Sequence, residues 1–435
     1  MSEMFRTPSR RGFLSVAAAA TGAAALSSGH PPAVAAAAAT TSAVGPAIRP
    51  FRVHEPRAKL LDLRRRIIAT QFPEKEPVSD QSQGPPLAMM QSVAAYWANH
   101  YDWRRCEKRF NSFPNFLTEI DGLDFHFVHV RSKHKNALPL LLSHGWPGSI
   151  LEQMKVIEPL TNPTKFGGNA SDAFDVVVPS MPGYGYSSKP TTTGWGPDHV
   201  ARVWIELMKR LGYTKFVASG GDWGAVVVDL MALEGAPELA GIHTNMAGVV
   251  PPEVDGALFS HDPVDTTGFS PEERQVVDDL TFFYQHVYYA LLLADRPQTM
   301  AGLADSPLGL ATWLLDHDAA SLALISRVFA GQKEGLSRED VLDNLTHYWL
   351  TKSGVSSSRI YADNRFPFFA RKGVTIPVAV SVFPDELYEP PRSWAEEAYP
   401  NLIHYNKLAR GGHFAAWEQP ALFTKEVRTG FRSLR

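Results

Sequence analysis

The sequence predicts an α/β protein: a largely parallel sheet with crossover helices, a mostly helical extension ahead of it and a helical insertion before its last strands. Three observations carry this. Short apolar runs at 138–143, 174–179, 216–219, 240–246 and 376–382 read as buried parallel strands, alternating with helical periodicity and closed by a helix over 421–431. Between Pro251 and Gly373 the pattern changes to aromatic-rich helical segments, including Phe282-Phe283-Tyr284, Tyr288-Tyr289, Trp313 and His347-Tyr348-Trp349. Third, Gly220-Gly221-Asp222-Trp223-Gly224 lies between an apolar strand pattern and an apolar helix pattern. A strand that turns sharply into a helix leaves no room for side chains beside the one reactive position, which here is Asp222.

Taken in order, the chain begins with Ser9-Arg10-Arg11-Gly12-Phe13-Leu14, a weakly hydrophobic run from Val16 to Leu26 and Ala-rich sequence with cleavage options near 33–39. This reads as a twin-arginine export signal and linker over 1–44, so an exported protein is expected. The apolar run is too short for a transmembrane span, which needs about 20 residues. Over 45–132, Leu60, Leu61, Leu63, Ile67 and Ile68 recur at helical spacing, and 87–97 is a second helix candidate. Two alternating segments, 116–120 and 125–130, flank Asp121-Gly122 and predict a hairpin. His126 and His129 point to opposite faces of that strand and read as structural. The sheet then occupies 133–250 and 374–435, with the insertion at 251–373 forming a lid over the edge where such sheets bind ligands.

Composition bounds the function. With 435 residues, 44% of them apolar, the chain can bury a large core, and its net charge of -3 gives no electrostatic case for nucleic acid or anionic membrane. A single cysteine, Cys106, provides neither a disulfide framework nor a thiolate metal cluster and reads as structural. No metal-ligand spacing is present, and no cofactor is expected.

Aspartate at the elbow has a chemical meaning. Serine attacking an sp³ carbon would leave an inert ether, whereas aspartate leaves an ester that water can cleave. Asp222 therefore points to alkyl substrates such as epoxides or haloalkanes. His144-Gly145-Trp146-Pro147-Gly148-Ser149 follows the strand at 138–143 and can aim a backbone N–H at a developing oxyanion, with the N–H of Trp223 as second donor. His144 reads as a residue holding that loop, and the Gly/Pro-rich loop 179–188 as one that shapes the site. Near the C-terminus, Gly411-Gly412-His413-Phe414 places a histidine before the final helix. The acid that orients it should follow the strand at 376–382, where Asp385 and Glu386 are adjacent and only one can face His413.

These motifs together resemble the microsomal epoxide hydrolase family of the α/β-hydrolase superfamily. The resemblance covers nearly everything after the signal and includes Ile48-Arg49-Pro50-Phe51, Tyr101-Asp102-Trp103-Arg104 and Asp121-Gly122-Leu123 in the segment ahead of the hydrolase core. It implies Asp222 as nucleophile, His413 as base, Glu386 rather than Asp385 as acid, and the N–H groups of Trp146 and Trp223 as oxyanion donors. It also implies two lid tyrosines that protonate the opening ring, falling on Tyr289 and Tyr361, with Tyr284, Tyr288 and Tyr348 left to packing. The expected reaction is hydrolysis of a small apolar epoxide to a vicinal diol, consistent with xenobiotic detoxification by a bacterial enzyme. Substrate and water are the expected partners, and a homo-oligomer is left open. Haloalkane or haloacid dehalogenation uses the same aspartate and histidine without the two tyrosines, and a non-catalytic ligand-binding homologue is a third reading.

Overall fold

A computed structural model of the chain describes residues 47–435, so the signal and linker expected at 1–44 lie outside the described residues. The strands are β1 (Arg49–Phe51), β2 (Asn115–Ile120), β3 (Leu123–Val130), β4 (Leu138–Ser143), β5 (Phe174–Pro179), β6 (Phe216–Gly220), β7 (Leu239–Thr244), β8 (Val378–Val382) and β9 (Leu402–Lys407). They form one sheet in the order β1-β2-β3-β5-β4-β6-β7-β8-β9. Pairing is antiparallel from β1 through β3 to β5 and parallel from β5 to β9. The β2–β3 turn has both Asp121 and Gly122 at positive φ, 51° and 81°, the geometry a two-residue hairpin requires.

Helices α1 (Arg57–Ile68), α2 (Leu87–Asn99) and α3 (Trp103–Phe110) precede the hairpin. The parallel strands are connected by α4 (Ile150–Thr161), α5 (Pro197–Arg210) and α6 (Trp223–Leu233). Between β7 and β8 come α7 (Pro252–Ser260), α8 (Pro271–His286), α9 (Tyr288–Asp295), α10 (Pro307–Leu315), α11 (Ala319–Phe329), α12 (Arg338–Leu350), α13 (Ser353–Ser356) and α14 (Arg359–Asp363). The chain closes through α15 (Arg392–Ala398), α16 (Ala415–Glu418) and α17 (Pro420–Gly430).

Alternation along the buried strands divides the interior in two, because successive side chains leave opposite faces. Leu140, Leu142, Val176, Val178 and Val217 join Val156 of α4 and Phe423 of α17 in one core. Leu141, Val177 and Ala218 join Trp204 of α5 and Val226 of α6 in the other, which continues into the inserted helices. Both faces of the parallel strands are thus covered, and their ends are left to carry chemistry.

The N-terminal helices brace the insertion. Trp97 Nε1 donates to Thr346 Oγ1 at 2.9 Å, Tyr101 Oη to Asp343 Oδ1 at 2.8 Å, and Arg105 reaches both oxygens of Asp343. Asp343 and Thr346 both belong to α12.

Candidate active site

The elbow is built as its small residues require. Asp222 stands between β6 and α6 at φ 53°, ψ -129°, a strained position for a side-chain-bearing residue. A Cβ on Gly220 would strike the Gly224 backbone, one on Gly224 the Ser143 carbonyl, and one on Gly145 the Asp222 side chain itself. Trp146 N–H donates to Asp222 Oδ1 at 2.7 Å, and the Trp223 N–H also bears on the carboxylate. Burial pushes the Asp222 pKa up, while His413, His317 and these two N–H groups pull against it.

His413 lies between the two carboxylates. Its Nδ1 is 2.5 Å from Glu386 Oε1 and its Nε2 is 3.7 Å from Asp222 Oδ2, with all three side chains buried. Burial alone would lower the His413 pKa; the charge and hydrogen bond of Glu386, then Asp222 and Asp318, outweigh it and lift it to about 10. Glu386 also accepts from Asn245 Nδ2 and from the Leu387 N–H. Asp385 is exposed, and its backbone pairs with the histidine loop through Gly411 and Gly412.

Both tyrosines face this group. The Tyr289 ring, on α9, stacks on Trp146 at 5.2 Å, and the Tyr361 ring, on α14, meets Trp146 and Trp223 edge-on at 5.7 and 4.8 Å. The two phenol rings are 6.3 Å apart. Burial first, and the Asp222 charge after it, hold both phenols well above their ordinary pKa, so both stay protonated. Tyr288 points away and is 69% exposed. Tyr284 bonds Asp255, and Tyr348 donates to the Gly148 carbonyl at 2.7 Å, which with Asn344 Nδ2 on the Pro147 carbonyl fastens the Trp146 loop to α12.

The other sequence readings are also placed. His144 accepts from the Met181 N–H through Nε2 and contacts the Gly145 carbonyl through Nδ1; burial lowers its pKa to about 4. His126 bonds Ser180 and Asn115, His129 bonds Tyr213, and Cys106 is fully buried.

Several residues at the site escaped sequence reading. His317, between α10 and α11, lies 4.4 Å from the His413 ring, with Nδ1 on Asp318 at 2.9 Å and Nε2 buried without a partner. Burial opposes ionisation of Asp318, but its bond to His317 and nearby positive charge hold it at about 2. Glu418 accepts the N–H groups on either side of His413, from Gly412 at 2.9 Å and Phe414 at 3.0 Å. Glu152 and Gln153, in the first turn of α4, line a cavity beside Asp222 together with His413. The only sequence signal for these groups is charge or polarity inside otherwise apolar runs, as in Asp316-His317-Asp318 and Leu151-Glu152-Gln153-Met154. Asp222, His317 and His413 carry potential metal-ligating atoms within 4.8 Å of one another, and an ion held there would engage nucleophile and base together.

Sheet order, acid-bearing elbow and returning histidine define an α/β-hydrolase. The family model described as epoxide hydrolase N terminus matches residues 48–153, and the alpha/beta hydrolase fold model matches residues 139–269. A putative epoxide hydrolase of Stigmatella aurantiaca is 47% identical over 397 residues, 89% of this chain and 86% of that protein. Epoxide hydrolase 1 of Oryctolagus cuniculus is 33% identical, with 88% of each chain covered. The crystal structure of juvenile hormone epoxide hydrolase from Bombyx mori superposes with a TM-score of 0.78 at 29% identity, covering 90% of this chain and 96% of that one. The chain belongs to the epoxide hydrolase family and is a hydrolytic enzyme.

Proposed function

We propose that the chain converts an apolar epoxide to a vicinal diol through an ester on Asp222. The observation that carries this reading is the facing of a buried carboxylate, whose Oδ1 already accepts the Trp146 N–H, by the Glu386-bonded His413 and by two protonated tyrosines. Asp222 Oδ2 attacks a ring carbon as the C–O bond breaks, and Tyr289 and Tyr361 donate to the leaving oxygen, which an unassisted alkoxide needs. Oδ1 remains as the ester carbonyl, held by the Trp146 and Trp223 N–H groups. Alkylation also removes the Asp222 charge, one of the causes that keep His413 protonated, so His413 becomes a better base once the ester forms.

The test is intact-mass analysis and peptide mapping of the His413→Gln variant after exposure to aryl and alkyl epoxides. A gain of one whole epoxide on Asp222 is expected, and a folded variant that takes up nothing across the panel would overturn the covalent route. In single turnover in labelled water, the first diol should carry an Asp222 oxygen. One observation favours dehalogenation as a second activity: the indole Nε1 atoms of Trp146 and Trp223 are buried without a partner, as halide donors would be. Halide release from haloalkanes by the unmodified enzyme tests it.

Export is part of the same proposal. The twin-arginine pattern at Arg10 and Arg11 would deliver the folded enzyme beyond the cytoplasm to meet incoming apolar epoxides, a detoxifying role in a bacterium. An Arg10→Lys, Arg11→Lys double variant exported as well as the parent would count against it. Among the described residues no helix is long and apolar enough to cross a membrane.

A further inference from the structure

Ester hydrolysis needs one water, oriented with a lone pair toward the Asp222 carboxyl carbon. Beside that carboxylate is a cavity of about 20 Å³, lined by Glu152, Gln153, Gly221, Asp222, Asn245 and His413 among others. A single water needs roughly 10–15 Å³, so the space suits one molecule. Around it, His413 Nε2 and Gln153 Oε1 are buried polar atoms with no hydrogen-bond partner in the protein. Both are acceptors when the base is neutral. Nδ1 of His413 is committed to Glu386, leaving the lone pair on Nε2, and the Gln153 amide nitrogen is committed to Glu152 Oε1 at 3.1 Å, leaving its carbonyl oxygen free.

We infer that this cavity seats the hydrolytic water and that Gln153 is a further catalytic residue, its Oε1 accepting one O–H of that water while His413 Nε2 accepts the other. With both hydrogens fixed, the lone pairs are left for the ester carbon. One O–H bond of the water breaks, its proton passing to His413 Nε2, and a bond forms between the water oxygen and the Asp222 carboxyl carbon. The carbonyl electrons move to Oδ1, then return as the bond from the carboxyl carbon to Oδ2 breaks and the diol leaves with Oδ2 and the proton from His413. The second water hydrogen, left on the Asp222 carboxyl, restores the tyrosine that protonated the ring oxygen. Glu152 supports the arrangement: burial lifts its pKa to about 8, so near neutral pH it adds no full negative charge beside Asp222 and Glu386 and still accepts from Gln153.

The inference rests on the covalent Asp222 route, and its test separates the two. Rapid-quench kinetics with intact-mass detection would follow both half-reactions in Gln153→Met, which keeps side-chain length but lacks the amide acceptor. Alkylation should stay within about twofold of the parent while deacylation slows about 10–100-fold and the ester accumulates, the size of effect that misplacing a reacting group produces. Gln153→Glu, which keeps an acceptor oxygen there, should hold deacylation to within about fivefold of the parent. Unchanged deacylation in Gln153→Met, equal slowing of both steps, or a Gln153→Glu variant as slow as Gln153→Met would overturn the assignment. Failure of the His413→Gln variant to form any adduct would overturn the covalent route itself.

Discussion

Nδ1 of His413 and Oε1 of Glu386 lie 2.5 Å apart, while the neighbouring carboxyl of Asp385 faces solvent. The choice between adjacent acids therefore has a measurable consequence. Glu386→Gln should slow ester hydrolysis by about 10²–10⁴, the range expected when a base loses its orienting partner. Asp385→Asn should leave both half-reactions within about twofold, since an exposed side chain makes no bond to the histidine. The reverse ranking in single-turnover assays would assign the acid to Asp385.

Tyr289 and Tyr361 approach from two different helices, and each phenol is held protonated by burial and by the Asp222 charge. Tyr289→Phe and Tyr361→Phe should each lower the alkylation rate by about 10–10³, with the double variant lower still, because general-acid help is lost and no charge is left unpaired. Deacylation of ester already formed should be little changed. Tyr288→Phe, at an exposed position, is the control.

Glu418 places its two oxygens on the N–H groups flanking His413. A glutamine there puts an amide N–H against one of those donors, costing about 1–3 kcal/mol for the group left unsatisfied. Glu418→Gln should lower the melting temperature and slow deacylation more than alkylation. Burial also raises the Glu418 pKa to about 7 from 4.5, so the native state holds its proton more tightly than the unfolded chain. Its stability contribution is full below about 4.5 and is lost as pH rises through 7, a slope the glutamine variant should lack.

His413 gives an alkaline counterpart. Its native pKa, near 10 against an ordinary 6.5, means a contribution fully present below about 6.5 and lost as pH rises through 10. Melting temperatures measured from pH 6 to 10.5 should fall less steeply in His413→Gln than in the parent; equal slopes would contradict the charged buried histidine.

The Asp229–Lys372 pair, 3.5 Å apart and almost entirely buried, joins the elbow helix α6 to the segment that leaves the insertion. Lys372→Met should cost about 3–5 kcal/mol, since it strands the Asp229 carboxylate. Asp229→Asn with Lys372→Met together should recover part of that loss.

Much of this was legible because the central parallel strands are short, mostly apolar runs and the elbow glycines allow no substitute. The missed pieces have a common cause. β1 is three residues with a proline at the sheet edge, and β9, Leu402–Lys407, is only partly buried, so neither shows the apolar run of a central strand. α3 is a mostly charged helix that buries only Trp103, Cys106 and Phe110. His317 and Gln153 meet the site across tens or hundreds of residues, and Glu418, though only four and six residues from its partners, bonds backbone N–H groups that no residue type marks. Asp222 and His413 could be read because a turn or glycine pair announces them; Tyr289 and Tyr361 needed a family resemblance, since one tyrosine among many on aromatic helices looks like packing.

The tyrosines stand on the inserted helices α9 and α14, whereas Asp222, Glu386, His413 and Gln153 all belong to the sheet and the segments that frame it. Releasing the product thus draws on residues of the sheet and its frame, whereas opening the ring also needs the inserted helices. Substitutions around the tyrosines can change which epoxides are accepted and how fast they are captured, while the base, its acid and Gln153 stay the same for every substrate. An ester from any epoxide meets the same base and acid, so selectivity and turnover can be altered by substitutions in different stretches of sequence.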